Sequence, residues 1–201
     1  MPEICKSQRS DEWHLLHRNR ITASAAAACL GLSTYDSRQK AWRSILGLQD
    51  ATPENSYIQW GERIEPVARK SYEVLTGNIV TEAGFWVHPV YDWLGASPDG
   101  LIGKDGLVEI KCPGMGNIGK LPTSVPITHR IQCIVQLAVT GRKWVDYFSF
   151  VDGGYFLKRI FRSGVDGIVA KLKKFYETYI LTGIEPERKK PRRRHVKSHL
   201  P

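Results

Sequence analysis

The 201-residue sequence predicts an α/β fold, a central mixed β-sheet flanked by helices. Three observations carry that reading. Helix-period segments bounded by Ser, Thr and Gly stand toward both ends of the chain. Strand-period segments gather in the middle, around a glycine-bearing turn. A hydrophobic content of 42% with 10% aromatics supplies enough apolar surface for a sizeable core.

Residues 10–20, with Trp13, Leu15 and Leu16, predict a short helix. Ile21 to Gly31 predicts a second, with Thr22 or Ser24 as N-cap and Gly31 as its stop. Ser37 opens a third that ends near Gly47. Residues 49–57 are polar, contain Pro53, and read as a loop. Gly61 to Thr76 reads as a longer helix closed by Gly77, with Pro66 in its early turns. Residues 79–88 and 92–96 predict strands leading into a hairpin. The Gly/Pro-rich stretch 114–126 reads as a mobile loop, and Thr128 to Thr140 as a helix ending at Gly141. Trp144–Val151 and Tyr155–Arg162 predict a hairpin around Asp152-Gly153-Gly154. A final amphipathic helix spans Val165 to Leu181 and is capped by Gly183. There is no internal repeat. Residues 1–183 are expected to form one domain, with 184–201 as a basic flexible tail.

The central hairpin carries the chemistry. Lys104-Asp105-Gly106 suits a three-residue loop, a type I turn followed by a left-handed glycine. That register pairs Gly103 with Leu107, Leu101 with Glu109 and Asp99 with Lys111. Side chains alternate along a strand, so Asp99, Glu109 and Lys111 share one face while Val108 and Ile110 point to the core. The plain alternative is a surface hairpin with a cross-strand ion pair, contributing about 0–1 kcal/mol. The apolar run Leu-Val-Glu-Ile-Lys-Cys-Pro argues against it, because charges inside a sheet need a counter-ion or a task. Two carboxylates on one wall suit a hard cation such as Mg²⁺, which takes oxygen ligands and keeps several waters. A neighbouring lysine can hold an anionic oxygen or orient a water.

The formal net charge is +9, of which residues 185–201 hold a net +5. Such a balance suits phosphate attraction or solubility. No apolar run approaches the roughly 20 residues that span a bilayer, and the first residues lack the apolar core of a signal peptide. A cytoplasmic location, in a bacterial or phage-infected cell, and no membrane partner are the expectations. Cys5, Cys29, Cys112 and Cys133 are scattered and read as free thiols in a reducing compartment.

Pro98-Asp99 followed by Glu109-Ile110-Lys111 matches the acidic-lysine signature of many metal-dependent nucleases. The longer strings Ser-Pro-Asp-Gly and Val-Glu-Ile-Lys-Cys-Pro resemble the phage lambda exonuclease and YqaJ-type viral recombinase family. Three further stretches resemble that family in order. They are Glu12-Trp13 leading to Ile21-Thr22-Ala23-Ser24, then Trp60-Gly61-Glu62-Arg63-Ile64-Glu65, then Arg130-Ile131-Gln132 through Val139-Thr140. Together they cover residues 12–151.

The resemblance implies a restriction-endonuclease-like core and a Mg²⁺-dependent 5′→3′ exonuclease acting on linear duplex DNA, with Mn²⁺ as an alternative metal. It implies Asp99, Glu109 and the Ile110 carbonyl as metal ligands and Lys111 as the catalytic lysine. Glu65 becomes a nearby acid serving a second metal directly or through water, and Gln132 a residue contacting the site or the water. Thr22, Ser24 and Ser97 resemble phosphate-binding hydroxyls for a 5′-phosphate end, although without the family simple capping is their default reading. Ile58 falls, loosely, where the family places an apolar wedge between terminal base pairs. The family's arginine seven residues before Ser24 is His17 here, next to Arg18 and near Arg20. Arg18 is the favoured cation, because arginine keeps its charge at alkaline pH. His129 either touches phosphate or lies at an exposed helix start, and His14 and His88 have no assigned role. The four cysteines resemble the spacing of cluster-bearing nucleases poorly, so no iron–sulfur cluster is expected. A ring-shaped homotrimer and a single-strand annealing partner are also implied. A non-catalytic DNA-binding recombination scaffold and a restriction-type endonuclease are the alternatives.

Overall fold

The computed structural model describes residues 3–5, 10–48, 56–114 and 120–187. Two sheets organise it. The larger has five strands in the order β3 (Val80–Thr81), β6 (Gly100–Ile102), β7 (Gly106–Lys111), β8 (Trp144–Val151) and β9 (Gly154–Phe161). β7 and β8 run parallel and the other pairs antiparallel, so this sheet is mixed. A smaller sheet orders β1 (Glu3–Cys5), β4 (Phe85–Val87), β5 (Leu94–Ala96) and β2 (Ile21–Thr22). The stretch 79–88, read from sequence as one strand, therefore divides between two sheets.

β7 is buried on both faces, as its near-continuous apolar sequence requires. Val108 and Ile110 pack with Phe148 against Ala68 and Tyr72 of α4 (Ser56–Thr76). Leu107, on the opposite face, packs with Val145 and Tyr147 against Cys133 and Leu137 of α5 (Ile127–Thr140). Alternation places Glu109 on the α5 face. The remaining helices are α1 (Asp11–His17), α2 (Ala23–Cys29), α3 (Arg38–Ile45) and α6 (Val165–Phe175), the last continuing into a π-helical turn at Tyr176–Ile180. The alanine-rich α2 packs closely on α5, where small side chains permit near approach of the two backbones.

The central hairpin differs from the sequence expectation by two residues. The observed pairs are Gly100 with Val108, Leu101 with Leu107 and Ile102 with Gly106. The left-handed residue is Gly103 (φ +50°), so the loop is Gly103-Lys104-Asp105. Gly106 instead belongs to the strand, where the Trp144 indole occupies the space a Cβ would take. Arg142 closes the turn by donating to the carbonyls of Gly103 (2.9 Å) and Gly106 (2.7 Å). An even shift preserves facing, so Glu109 and Lys111 remain on one side; Asp99 now comes opposite Glu109 rather than Lys111.

Three other boundaries move. α4 begins at Ser56, so residues 56 and 57 are helical and Pro66 lies in the interior. Thr22 holds the N-cap position of α2, but its hydroxyl meets Ser24 Oγ at 3.2 Å rather than a backbone N–H. The final α-helix stops at Phe175. The 49–55 part of the expected loop, the 115–119 part of the expected mobile loop, and the tail from residue 188 lie outside the described residues. No helix among the described residues is long and apolar enough to cross a membrane.

Candidate active site

The site forms where β7 leaves the hairpin. Asp99 immediately precedes β6, whose ladder with β7 begins at Gly100, and its side chain meets the Ile110 N–H. Asp99 Oδ2 accepts it at 2.6 Å. The other Asp99 oxygen has no protein donor among the described residues.

Glu109 is fully buried (0% exposed) and held by three donors. Its Oε1 receives Lys111 Nζ at 2.5 Å and Gln132 Nε2 at 2.6 Å. Its Oε2 receives Gln136 Nε2 at 2.5 Å. A charged carboxylate at this depth is tolerable because each oxygen is hydrogen-bonded and a cation stands beside it. Gln132 and Gln136 are four residues apart on α5, so both fall on the helix face that covers Glu109.

The electrostatics are those of crowded acids. Burial, and after it the Glu109 carboxylate, push the Asp99 carboxyl well above the ordinary carboxylate range; Glu65 adds to this and Lys111 opposes it. Burial alone would lower the Lys111 ammonium, but Glu109 and Asp99 outweigh it and the lysine is held protonated. Burial and then Lys111 lower His129 to about 4, so its ring is neutral. His129 Nδ1 lies 2.9 Å from the Tyr147 hydroxyl, and burial pushes that phenol up to about 12. The ring is thus engaged in the interior.

A cleft of about 180 Å³ opens beside Asp99. It gathers Trp13, His17, Thr22, Ser24, Glu65, Ser97, Asp99 and Gln132, from four separate stretches of sequence. Trp13 Nε1 donates to Ser97 Oγ (3.2 Å), and Ser97 Oγ donates to the Gly84 carbonyl (3.1 Å). His17 Nδ1 donates to the Trp13 carbonyl at 2.7 Å. Glu65 bonds Arg69 Nη2 at 3.1 Å, and Arg69 also reaches Glu82.

Arg18 and Arg20, the cations expected beside this hydroxyl group, do not line the cleft. Arg18 is the exposed residue at which α1 ends. Arg20 is turned to backbone, donating to the carbonyls of Asp92 (2.8 Å) and Leu16 (2.9 Å). His17 takes the place instead. Ile58 lies on α4, with its side chain outside the described residues. Gln136 and Arg69 were not anticipated. Gln136 could have been found as the residue one helical turn beyond Gln132, and Arg69 as the corresponding partner of Glu65.

No group of three or more His, Cys, Asp or Glu side chains close enough to hold a metal occurs among the described residues. Asp99 and Glu65 nevertheless bring carboxylate oxygens to the cleft, and Glu109 stands behind them on Gln132. Such a set fits a hard divalent cation, which would offset the burial and the Glu109 repulsion that raise Asp99.

The profile of the YqaJ-like viral recombinase domain matches residues 12–143. The chain belongs to that family. Among solved structures it is similar to the alkaline exonuclease LHK-Exo of Laribacter hongkongensis, at 33% identity and a TM-score of 0.70 over 86% of this chain and 92% of that one. The complex of LHK-Exo with dAMP matches at 32% identity, with the same TM-score and the same coverage. A phage-related exonuclease from Haemophilus somnus 129PT shares the fold at 14% identity and a TM-score of 0.57, covering 85% of this chain and 99% of that one. No curated protein matches. The two-sheet architecture with its flanking helices is thus the restriction-endonuclease-like fold of the alkaline exonucleases, as the acidic-lysine motif implied.

Proposed function

We propose that this YqaJ-family protein is a Mg²⁺-dependent 5′→3′ exonuclease that shortens one strand of linear duplex DNA and leaves a 3′ single strand. The observation that carries the reading is a cleft that gathers Asp99, Glu65 and Gln132 with the hydroxyls of Thr22, Ser24 and Ser97, while Gln132 and Lys111 both bond Glu109. Membership of a family that includes an alkaline exonuclease supports the reaction class, and a relative crystallised with dAMP supports a nucleotide product.

Asp99, Glu109 and the Ile110 carbonyl would hold the cation, with Glu65 serving a second one directly or through water. A divalent cation, when bound, neutralises charge on the scissile phosphate and acidifies water. Glu109 and Asp99 hold Lys111 protonated against the effect of burial, which suits a cation rather than a base. Lys111 orients the attacking water and stabilises charge on the phosphoryl oxygens as the transition state forms. The water oxygen bonds to phosphorus and the P–O3′ bond breaks. The released nucleotide keeps a 3′-hydroxyl, and the remaining strand gains a new 5′-phosphate. Gln132 stands at the cleft wall with its amide on Glu109, where it contacts the site or the water. His17 and the three hydroxyls grip the terminal phosphate, which gives the enzyme its direction. A ring-shaped trimer and an annealing partner for the 3′ strand complete the proposal.

Digestion of linear and covalently closed duplexes, each with Mg²⁺ and with EDTA, tests it. An exonuclease consumes only the linear form and only with metal. Cutting of closed circles would establish an endonuclease, and binding without cutting a scaffold.

A further inference from the structure

Gln132 and Gln136 contact the same carboxylate from different surroundings. Gln132 is partly exposed and lines the cleft. Gln136 is fully buried (0% exposed). Gln132 shares Glu109 Oε1 with Lys111, whereas Gln136 alone occupies Oε2. A carboxylate offers about two lone-pair sites per oxygen. Oε1 is therefore filled by its two donors, and Oε2 retains one site.

The Gln136 amide has another unusual property. Its Oε1 is buried and finds no donor among the described residues. Leaving a buried carbonyl unpaired is costly, and an apolar side chain of similar size would avoid that cost. The amide is oriented by its one strong bond to Glu109, since only the nitrogen end can donate to a carboxylate.

We propose that Gln136 is the positioning residue of this site. It holds Glu109 in one orientation through Oε2, while Gln132 on Oε1 is the donor that yields when a cation or water enters from the cleft. A cation approaching through the cleft meets Asp99 and Gln132 first, so Gln132 must be able to leave Oε1. The fully enclosed Gln136 stays and prevents the carboxylate from rotating. The inference rests on Glu109 being a metal ligand, as set out above.

Two measurements on the full-length protein test the division of labour. The first is calorimetric titration with Mn²⁺ alone. Gln136→Met keeps the volume and removes the donor, and it should weaken Mn²⁺ binding about ten- to a hundredfold, as loss of an outer partner of a metal ligand does. Gln132→Met should weaken Mn²⁺ binding less than Gln136→Met does. A packing role for Gln136 would change the melting temperature and leave the Mn²⁺ affinity of the folded protein alone. The second needs no variant that must fold. In ¹⁵N spectra of wild-type side-chain amides, addition of Mg²⁺ should move the Gln132 resonances and leave those of Gln136 in place. Equal Mn²⁺ affinity in Gln136→Met and wild type overturns the proposal, as does release of the Gln136 amide by Mg²⁺. Absence of any Mn²⁺ binding by wild type overturns the metal reading itself, which separates the two failures.

Discussion

Asp99→Asn is expected to raise the melting temperature of the metal-free protein at neutral and alkaline pH. Burial and the Glu109 carboxylate hold the Asp99 pKa well above its ordinary value, against the opposing pull of Lys111. An unfolded Asp releases its proton near pH of about 3.9. Between that pH and the raised native value, the folded protein holds a proton that the unfolded chain has lost. Stability then falls as pH rises, by about 1.4 kcal/mol per pH unit for one group. Below the unfolded value both states are protonated and the penalty vanishes; above the native value it is at full size. Asn has no proton to hold. Its carbonyl can still accept the Ile110 N–H that Asp99 Oδ2 accepts at 2.6 Å, so the exchange leaves that donor satisfied. A chain of this size moves about 2–4 °C per kcal/mol. Wild type should therefore lose about 3–6 °C per pH unit relative to the variant within the window. Thermal melts in EDTA at pH 5, 6, 7 and 8 measure this. Mg²⁺ should narrow or reverse the difference, because binding to the folded wild type adds stability by mass action and the variant gains little. A difference that does not change with pH in EDTA, or a variant that melts lower at pH 8, would refute the reasoning.

Asp99→Ala and Glu109→Ala should each reduce cleavage by more than about tenfold while duplex binding, followed by gel shift, persists, since removing acids does not weaken attraction to phosphate. Lys111→Ala should lose cleavage yet still bind Mn²⁺ in the presence of DNA, because a protonated lysine is not a ligand; calorimetry that finds no binding in the folded variant would make the lysine structural. Preference for 5′-phosphate over 5′-hydroxyl ends should be stronger at pH 6 than at pH 9 and should survive Arg18→Ala but not His17→Ala, with His17→Arg restoring it at pH 9. Truncation after Glu187 keeps the half-buried Arg43–Glu185 pair (2.7 Å) and removes seven cations. It should leave the melting temperature unchanged and flatten the salt dependence of DNA binding, and an unaltered salt slope would take the tail away from DNA.

The fold was legible wherever the signal was local. α3, α5 and the β8–β9 hairpin fall within a residue or two of their expected bounds, because caps, turn glycines and periodicity lie inside each segment. The smaller sheet was legible only in part. The stretches 79–88 and 92–96 contain β4 and β5, but β1 and β2 are two or three residues long and pair across distant stretches, such as Ile21 with Leu94, so no periodic pattern announces them. The hairpin register failed for a different reason. Gly103 and Gly106 both suit a turn, and the choice is made by Trp144, which packs where a Cβ on Gly106 would stand. A residue 38 positions away thus decides which glycine bends. The start of α4 is also set from outside the segment, with Trp60 Nε1 donating to the Pro113 carbonyl at 3.2 Å.

At the site, charge and geometry carried unequal shares. Asp99, Glu109 and Lys111 were legible because one short hairpin positions all three, and an error of two residues in its register keeps them facing the same way. The choice among His17, Arg18 and Arg20 was made from charge, and there the helix has the deciding voice. Trp13 and His17 are separated by four residues, which places them on one face of α1. Trp13 is fixed by its bond to Ser97, so the His17 ring follows it into the cleft, with ring centroids 3.7 Å apart. Arg18 sits where the helix has already ended, in extended conformation (φ −66°, ψ 140°), and is carried out to solvent. A permanent charge held outside the cleft cannot do what a donor inside it can. Because histidine is charged only when protonated, the grip proposed for His17 on a terminal phosphate would depend on pH in a way that one built on arginine would not.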